Sequence, residues 1–172
     1  IYPAASHTFI LREITVLERL DFDIRPAAIR EPESENLIGP EEREAHKKTF
    51  YVLKAARRLA TLPRALASAL GRPGPLLKAL GLAWRTAPPG LRGAIKQVFY
   101  LGEALILSRH FRRAGIVHIH NHFADHSANV TMLTSVLAGI PFSYTLHGPN
   151  ELFEAHKWHF AEKTARAAFV VC

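Results

Sequence analysis

Four histidines in one short stretch are the residues of this chain best suited to chemistry. His118, His120 and His122 alternate, so on a β-strand their rings share one face, and His126 follows near a predicted helix start. Imidazole binds metals, yet only Asp125 accompanies the group at close spacing and His118 falls inside the predicted strand, which argues against a metal site. We therefore expect no metal, a hydrogen-bonded structural role for His118, and roles for His120 and His122 in binding ligand hydroxyls.

A further histidine stands in the dipeptide His147-Gly148, directly after a short apolar run. A glycine at such a position allows a ligand to approach the backbone closely. The same sequence, Gly148-Pro149-Asn150, is equally typical of an ordinary turn. The local sequence leaves both interpretations open.

A strand–helix–strand unit over residues 116–146 must position these histidines. β-branched residues open it, Phe142–Leu146 is a second apolar run, and apolar residues recur at helical spacing between them. The helical set is Val130, Leu133, Val136 and Leu137. Gly139 supplies the helix stop, and Pro141 bars its continuation. So short a unit implies two parallel strands joined by a right-handed crossover.

The carboxyl ends of these two strands are the expected functional edge of the sheet. Open α/β sheets bind ligands there, and both polar loops follow the end of a strand. The residues expected at this edge are His120, His122, Phe123, His147 and Gly148.

Composition and charge limit the classes of protein to which the chain can belong. The chain has 172 residues, enough for one domain with its own core, and its hydrophobic content of 48% is ordinary. The single cysteine, Cys172, excludes a disulfide scaffold and fits a reducing compartment. The formal charge of +7 suggests an anionic partner: a nucleotide, a phospholipid or a nucleic acid. The first residues, which lack a Met, and the strand-like last residues suggest a fragment of a longer enzyme.

The amino-terminal part of the chain predicts a helix, a short strand and a loop. Apolar residues form a helical stripe over Phe9–Leu20. Asp21–Ile29 alternates apolar and other residues, which is typical of a strand. Pro26 lacks an N–H, so the strand must lie at a sheet edge or end early. Residues 30–44 carry acidic residues, prolines and a glycine, so we expect a long loop there.

Residues 45–113 are rich in Ala, Leu, Lys and Arg and predict helices. The first spans about Glu41 to Leu70 with a kink or split at Pro63, and Leu76–Arg85 and Leu91–Arg113 follow. One functional interpretation is a basic amphipathic insert that rests on an anionic membrane surface. The alternative is a helical layer packed on the sheet with a solvated basic side. We expect no nucleic acid partner, because aromatic residues are sparse among the basic ones and no binding module is visible.

The last segment predicts a loop and helix over Glu151–Arg166 and a strand at Ala168–Cys172. The complete order of elements predicts an α/β fold. Its expected form is a doubly wound, mainly parallel Rossmann-like sheet with a helical insertion at about residues 41–113.

Three motifs together resemble a known family. His120-Asn-His-Phe-Ala, followed by a helix and Gly139-Ile-Pro-Phe-Ser-Tyr-Thr-Leu-His147-Gly148, is similar to the amino-terminal domain of family 4 retaining glycosyltransferases. The opening Tyr2-Pro3 with Ser6-His7-Thr8-Phe9-Ile10 resembles that family's first loop and helix. Within the family, bacterial exopolysaccharide transferases of the colanic-acid type are the most similar subgroup. Residues 30–113 match no part of it that we can name.

The resemblance implies a GT-B fold, in which two Rossmann-like domains face each other across a cleft. The amino-terminal domain, to which residues 1–172 correspond, mainly binds the acceptor, a saccharide or a lipid-linked molecule. The carboxy-terminal domain, absent from these residues, binds the nucleotide-diphosphate sugar, which is a donor substrate and not a cofactor. The implied protein is a cytoplasmic enzyme of polysaccharide biosynthesis, peripheral at the inner face of the cytoplasmic membrane.

The amino-terminal half alone is expected to be inactive. The residues leave two other classes open: a non-catalytic sugar- or phosphate-binding domain, and a membrane-peripheral interaction domain that works through residues 45–113.

The resemblance also implies roles for particular residues. His147 is the expected catalytic residue, near the transferred sugar, and residues 6–9 would lie near the donor phosphates. The expected substrate-binding residues are Ser6, His7, Thr8, Phe9, His120, His122, Phe123, Gly148 and Asn150. The family commonly has Glu where His7 stands and often Asp where Asn150 stands, so we expect an altered acceptor preference or a diverged activity.

Overall fold

The computed structural model of the chain contains two compact units, residues 1–58 and residues 59–172. All strand pairs among the described residues are parallel. None of the helices in the described part of the chain combines the length and apolar character needed to cross a bilayer. The residues described are 1–4, 8–33, 37–148, 153 and 159–172.

The first unit contains a two-stranded parallel sheet and short helices. Its elements are α1 (Thr8–Arg19), β1 (Ala27–Ala28), α2 (Pro40–Lys48), β2 (Phe50–Tyr51) and α3 (Val52–Ala56). Strand β1 pairs with β2, with Ala27 opposite Phe50. The hydroxyl of Tyr51 donates to the carbonyl oxygen of Tyr2 at 3.2 Å, which ties β2 to the first residues of the chain.

Helix α1 confirms the first predicted helix, but the expected loop over residues 30–44 is wrong from Pro40 onward, because α2 begins there. Gly39 precedes the helix, Pro40 occupies its first turn, and Glu42 Oε2 accepts from the Gly39 N–H at 2.9 Å. These start signals place the helix inside the acidic segment. The strand expected over Asp21–Ile29 shrinks to the two residues of β1.

The single helix expected from Glu41 to Leu70 is also wrong. The structure divides this range among α2, β2, α3 and a further helix, α4 (Thr61–Leu70). Phe50 and Tyr51 are aromatic residues that favour extended backbone when a partner strand is present, and β1 provides it. Pro63 does not kink a helix, because it falls in the first turn of α4, where its missing N–H has no intrahelical acceptor.

The second unit places a three-stranded parallel sheet beside a layer of helices. Its remaining elements are α5 (Pro73–Arg85), α6 (Leu91–Ala114), β3 (Ile119–His122), α7 (His126–Ala138), β4 (Phe142–Thr145), α8 (Phe160–Arg166) and β5 (Val170–Val171). The strand order is β3-β4-β5, and α7 connects the first two strands. Helix α7 packs against both α5 and α6, and α4 packs on α6.

Helix α7 and its two flanking strands confirm the predicted strand–helix–strand unit. Asp125 caps the helix by accepting from the Ser127 N–H at 2.9 Å, and Gly139 ends it in the left-handed conformation with φ of 74°. The residues predicted for its apolar side are mostly buried: Val130, Leu133 and Leu137. Strands β3 and β4 pair in parallel, with Ile119 opposite Phe142.

Strand β3 begins later than the sequence predicts. His120 and His122, expected in the loop, lie in the strand itself, whereas Val117 is 82% exposed. The reason lies in the end of α6: Gly115 is left-handed with φ of 70°, and the Ile116 N–H donates to the Phe111 carbonyl at 3.0 Å. Ile116 is therefore part of the helix cap and cannot start the strand.

The described strands give a mixed helix-and-strand structure with two small parallel sheets, one in each unit. This arrangement is compatible with the α/β class. The strands of the second unit follow one another in chain order, so a reversal of strand order is not seen among the described residues. The predicted final strand is confirmed only at Val170–Val171.

Candidate functional site

The carboxyl ends of β3 and β4 bring five of the predicted site residues together. His120 and His122 belong to β3, Phe123 follows directly, and His147 and Gly148 follow β4. The ring centroids are 5.1 Å apart for His120 and His122, 5.2 Å for His122 and His147, and 4.7 Å for Phe123 and His147. His120 and His147 are both exposed, so neither ring is sealed in the core.

The remaining predicted site residues belong to the first unit or lie outside the described residues. Thr8 and Phe9 are exposed residues in the first turn of α1, in the first unit. Ser6, His7 and Asn150 lie outside the described residues.

His118 and His120 share one buried hydroxyl group. The Oγ of Ser143 lies 2.8 Å from His118 Nε2 and 2.8 Å from His120 Nδ1. A serine hydroxyl has one proton, so it can donate to only one of the rings and must accept an N–H from at least one of them. His120 Nε2 also lies 2.9 Å from Thr145 Oγ1. The structural role predicted for His118 is confirmed, and the same hydroxyl groups fix the orientation of His120.

His122 and His147 form a hydrogen-bonded pair across the two strand ends. His122 Nδ1 lies 3.0 Å from His147 Nε2, with the rings inclined by 28°. Such a bond needs an N–H on one ring and a lone pair on the other, so each imidazole defines the tautomer of its partner. This pair links the last residue of β3 to the loop that follows β4.

Phe123 turns the chain out of β3 in a strained conformation. Its φ is 74°, which a residue with a side chain adopts at a cost of about 1–3 kcal/mol. The conformation is held because the Phe123 N–H donates to the Thr145 carbonyl at 2.9 Å, and because its ring lies on His147. Strain of this kind is concentrated at binding and catalytic sites.

The Asn121 side chain fastens the turn from the inside. Its Nδ2 donates to the carbonyls of His122 at 3.0 Å and Phe123 at 2.8 Å, and its Oδ1 accepts from Thr131 Oγ1 at 3.1 Å. Ser127 Oγ, which also accepts from Asn121 at 3.0 Å, donates to the Asp125 carboxylate at 2.8 Å. The turn that carries Phe123 is thus pinned to α7.

Lys163 of α8 holds the next part of the same loop. Its side chain is fully buried, and its ammonium donates to the carbonyl oxygens of Ala124 and of Asp125, the latter at 3.0 Å. Burial of an ammonium is costly, so these carbonyls are needed to solvate the charge. The contact fixes α8 against the carboxyl end of β3.

Tyr100 of α6 contacts the first residue of α7 on the same side. Its hydroxyl is hydrogen-bonded to His126 Nδ1. Burial, and then the negative charges of Glu103 and Asp125, raise the pKa of Tyr100. The phenol therefore stays protonated.

Two residues at α8 have shifted pKa values: His159, which directly precedes the helix, and Glu162 within it. Burial, followed by the charge of Lys163, lowers the pKa of His159. Arg166, whose Nε lies 2.7 Å from Glu162 Oε1, and Arg85 at 2.9 Å lower the pKa of Glu162. The Arg85–Glu162 contact joins α5 to α8.

Sequence reasoning missed Asn121, Ser143, Thr145 and Lys163. The register places His120 opposite Ser143 and His122 opposite Thr145, so an alignment of the two predicted strands would have paired these polar residues. The role of Lys163 had no sequence signal, because it lies 38 residues along the chain from the Asp125 carbonyl that it binds.

The exposed imidazoles of His120 and His147 lie on one edge of the sheet and can donate and accept hydrogen bonds, as the hydroxyls of a sugar require. Comparison with known proteins adds nothing to this picture: no family model matches the chain, and no similar curated protein or solved structure is found.

Proposed function

We propose that the chain is the acceptor-side half of a retaining, nucleotide-sugar-dependent glycosyltransferase that acts in polysaccharide biosynthesis. The motif resemblance suggests the chemistry. The single observation that carries the proposal is the pairing of His122 with His147 at 3.0 Å, next to Phe123, where two neighbouring parallel strands end. Parallel α/β sheets bind their ligands at such an edge.

The proposal includes a finer fold assignment. The three-stranded sheet β3-β4-β5 would be part of a doubly wound, Rossmann-like amino-terminal domain of a GT-B enzyme. A second domain, which binds the donor, would face the His122–His147 edge across a cleft. In this arrangement the strand ends would form one wall of the active site.

The proposed chemistry is transfer of a sugar from a nucleoside diphosphate to an acceptor hydroxyl. The bond between the anomeric carbon and the phosphate oxygen breaks, a bond from that carbon to the acceptor oxygen forms, and the proton of the acceptor hydroxyl passes to the released diphosphate oxygen. Positive charge builds on the sugar and negative charge on the diphosphate. Oriented hydrogen-bonding groups in a cleft that excludes water stabilise such charge best.

His147 is the catalytic residue of the proposal. It is exposed at the strand end, and its ring orientation is fixed by His122 on one side and by Phe123 on the other. It would contact the transferred sugar and the charge that develops on it. Gly148, whose added Cβ would meet nothing within 4 Å, would allow close approach of the same sugar.

His120, His122 and Phe123 would bind the acceptor. Two further assignments rest only on the motif resemblance. Residues 6–9 (Ser6, His7, Thr8 and Phe9) would lie near the donor phosphates, and Asn150 would lie beside the sugar.

The test measures release of nucleoside diphosphate by the full-length gene product from UDP-glucose, UDP-galactose and GDP-mannose, with saccharide acceptors. We expect turnover of one donor and a loss of about 100-fold or more in His147→Ala, the size of one removed electrostatic or acid–base contribution. His110→Ala on α6 is the matched control and should retain activity. No turnover of any donor, or an unaffected His147→Ala enzyme, would reject the proposal.

A second candidate function, membrane-surface binding, is favoured by the helices α4 to α6. Each of them exposes apolar side chains, for example Leu70 of α4 (61% exposed), Trp84 of α5 (84%) and Val98 of α6 (70%). Leu62, Leu66 and Leu70 of α4 are all exposed, and only Ala65 of this helix is buried. An exposed apolar face is typical of a surface that contacts a membrane or a partner.

The charge of the same helices fits an anionic membrane. Residues 59–114 contain nine Lys and Arg residues and a single acidic residue, Glu103, so this range carries 9 − 1 = +8. Basic side chains bind anionic lipid head groups, and the apolar side chains beside them insert into the interface. We propose that this layer holds the enzyme at the inner face of the cytoplasmic membrane, near a lipid-linked acceptor.

The membrane proposal is tested by sedimentation with vesicles of phosphatidylglycerol or phosphatidylcholine. We expect binding to the anionic vesicles only, weakened in Trp84→Ser/Val98→Ser. Phe22→Ser is the control, because Phe22 is also exposed but belongs to the first unit. Equal binding to both lipids, or none, would contradict the proposal.

A further inference from the structure

A groove between α4 and α6 is lined by four arginines. Arg64 of α4 faces Arg109, Arg112 and Arg113 of α6 across a concavity of about 590 Å³, whose remaining lining residues are Ala67 and Ser68. Arg109, Arg112 and Arg113 are spaced to share one face of their helix. Ala67 and Ser68 are small, and this leaves space between the guanidinium groups.

The groove lies at the opposite end of α6 from the candidate sugar site. Tyr100, which contacts His126, is near the carboxyl edge of the sheet, and Arg109 to Arg113 lie about 14–20 Å farther along the helix at 1.5 Å per residue. Only residues 115–118 separate the end of α6 from β3, so these arginines are near the amino edge of the strands. The groove is therefore a separate site.

Local structure does not account for this concentration of charge. Two other arginines of the unit are partnered: Arg72 donates to the carbonyls of Leu137 at 3.2 Å and Ala138 at 3.3 Å, and Arg85 pairs with Glu162. For the four groove arginines, the described residues provide no ion pair within 4.0 Å and no side-chain hydrogen bond.

The helix dipoles explain only part of the cluster. The negative end of α6 stabilises Arg112 and Arg113, which are in its last turn. Arg64, however, is in the first turn of α4, where the dipole disfavours a cation. Arg109 and Arg113, as like charges four residues apart, also repel each other.

We propose that this groove binds a phosphate-bearing anion, either a diphosphate or a phosphomonoester, held between Arg64 and the arginines of α6. Guanidinium groups bind phosphate oxygens in bidentate fashion, and a dianion placed among four of them removes their mutual repulsion. The anion comes either from solution or from the head group of an anionic lipid.

The test uses inorganic pyrophosphate in calorimetry and vesicles with phosphatidic acid in sedimentation, with the full chain in both. Arg109→Gln/Arg112→Gln should weaken binding at least 10-fold, whereas Arg12→Gln/Arg19→Gln, which removes the same charge from α1 in the first unit, should change it less than 2-fold. If the double variant fails to fold, Arg64→Gln replaces it in the same binding measurements, because Arg64 is an exposed residue on the other wall of the groove.

Each outcome of these measurements either supports or overturns the proposed anion site. Arginine-dependent binding of pyrophosphate supports the site with a soluble anion as its source. Binding of vesicles alone, lost in the same variants but not in the α1 control, supports the site with a lipid head group as its source. Absence of both, or equal binding by the groove variants and the α1 control, overturns the proposal without affecting the sugar-transfer assay.

Discussion

Removal of the Ser143 hydroxyl should destabilise the protein through the two histidines that share it. Ser143 is fully buried, and its Oγ lies 2.8 Å from both His118 Nε2 and His120 Nδ1. A net hydrogen bond contributes about 0.5–1.5 kcal/mol to stability. Water can replace the lost partner of exposed His120 more readily than that of half-buried His118, so we expect Ser143→Ala to lose about 1–2 kcal/mol.

The assay is urea unfolding followed by circular dichroism, with the midpoint temperature as a second measure. At about 2–4 °C per kcal/mol for a chain of this size, Tm should fall by about 2–8 °C. Ser108→Ala is the matched control: Ser108 is also buried, but its hydroxyl donates only to the Leu105 carbonyl of its own helix. A Ser143→Ala protein as stable as Ser108→Ala would refute the shared-hydroxyl arrangement.

A double-mutant cycle extends the same prediction. Thr145→Val removes the hydroxyl that lies 2.9 Å from His120 Nε2, on the other side of the ring from Ser143. Because both hydroxyls act on His120, we expect the two substitutions to be coupled by about 0.5–1 kcal/mol. Additive effects would show that the two contacts are independent.

Three further predictions concern the same unit. Asn121→Leu should cost about 2–4 kcal/mol in urea unfolding, because it removes the hydrogen bonds that pin the turn after β3; a loss below 1 kcal/mol would contradict this. Gly93→Ala should lower Tm strongly, since the added Cβ would lie 2.0 Å from the Pro88 carbonyl, whereas Gly102→Ala on the same helix meets nothing within 4 Å and should be neutral or stabilising. His159 has a lowered pKa in the folded protein, so its neutral form contributes stability above about pH 6.5 that is lost as the pH falls. Relative to His159→Gln, the wild-type Tm should therefore drop more steeply between pH 6.5 and pH 5, and parallel curves would disprove it.

The strand–helix–strand unit was predictable because its signals are local and strong. Helix α7 has an apolar repeat, an Asp cap and a glycine stop, all within residues 125–139. The lengths of the two strands and the helix then require a parallel pair. From these elements alone, His122 and His147 could be expected at one edge.

The rest depended on partners distant in sequence. Strand β2 has two residues and exists because β1 pairs with it, so the helical composition around it misled the prediction. The helical composition of residues 45–113 left open whether apolar residues face a core or a membrane, and the exposed leucines of α4 show that composition does not tell which side is covered. The convergence of Arg64 with Arg109 likewise follows from the packing of α4 on α6, which has no sequence signature.

The central claim is that the paired strand ends at His122 and His147 serve sugar transfer, and one comparison tests it most directly. It is the kcat/KM of the full-length enzyme for its nucleotide-sugar donor in His147→Ala and in His110→Ala. Our account predicts a loss of about 100-fold or more for the first variant and little change for the second. Equal values for the two variants would contradict it.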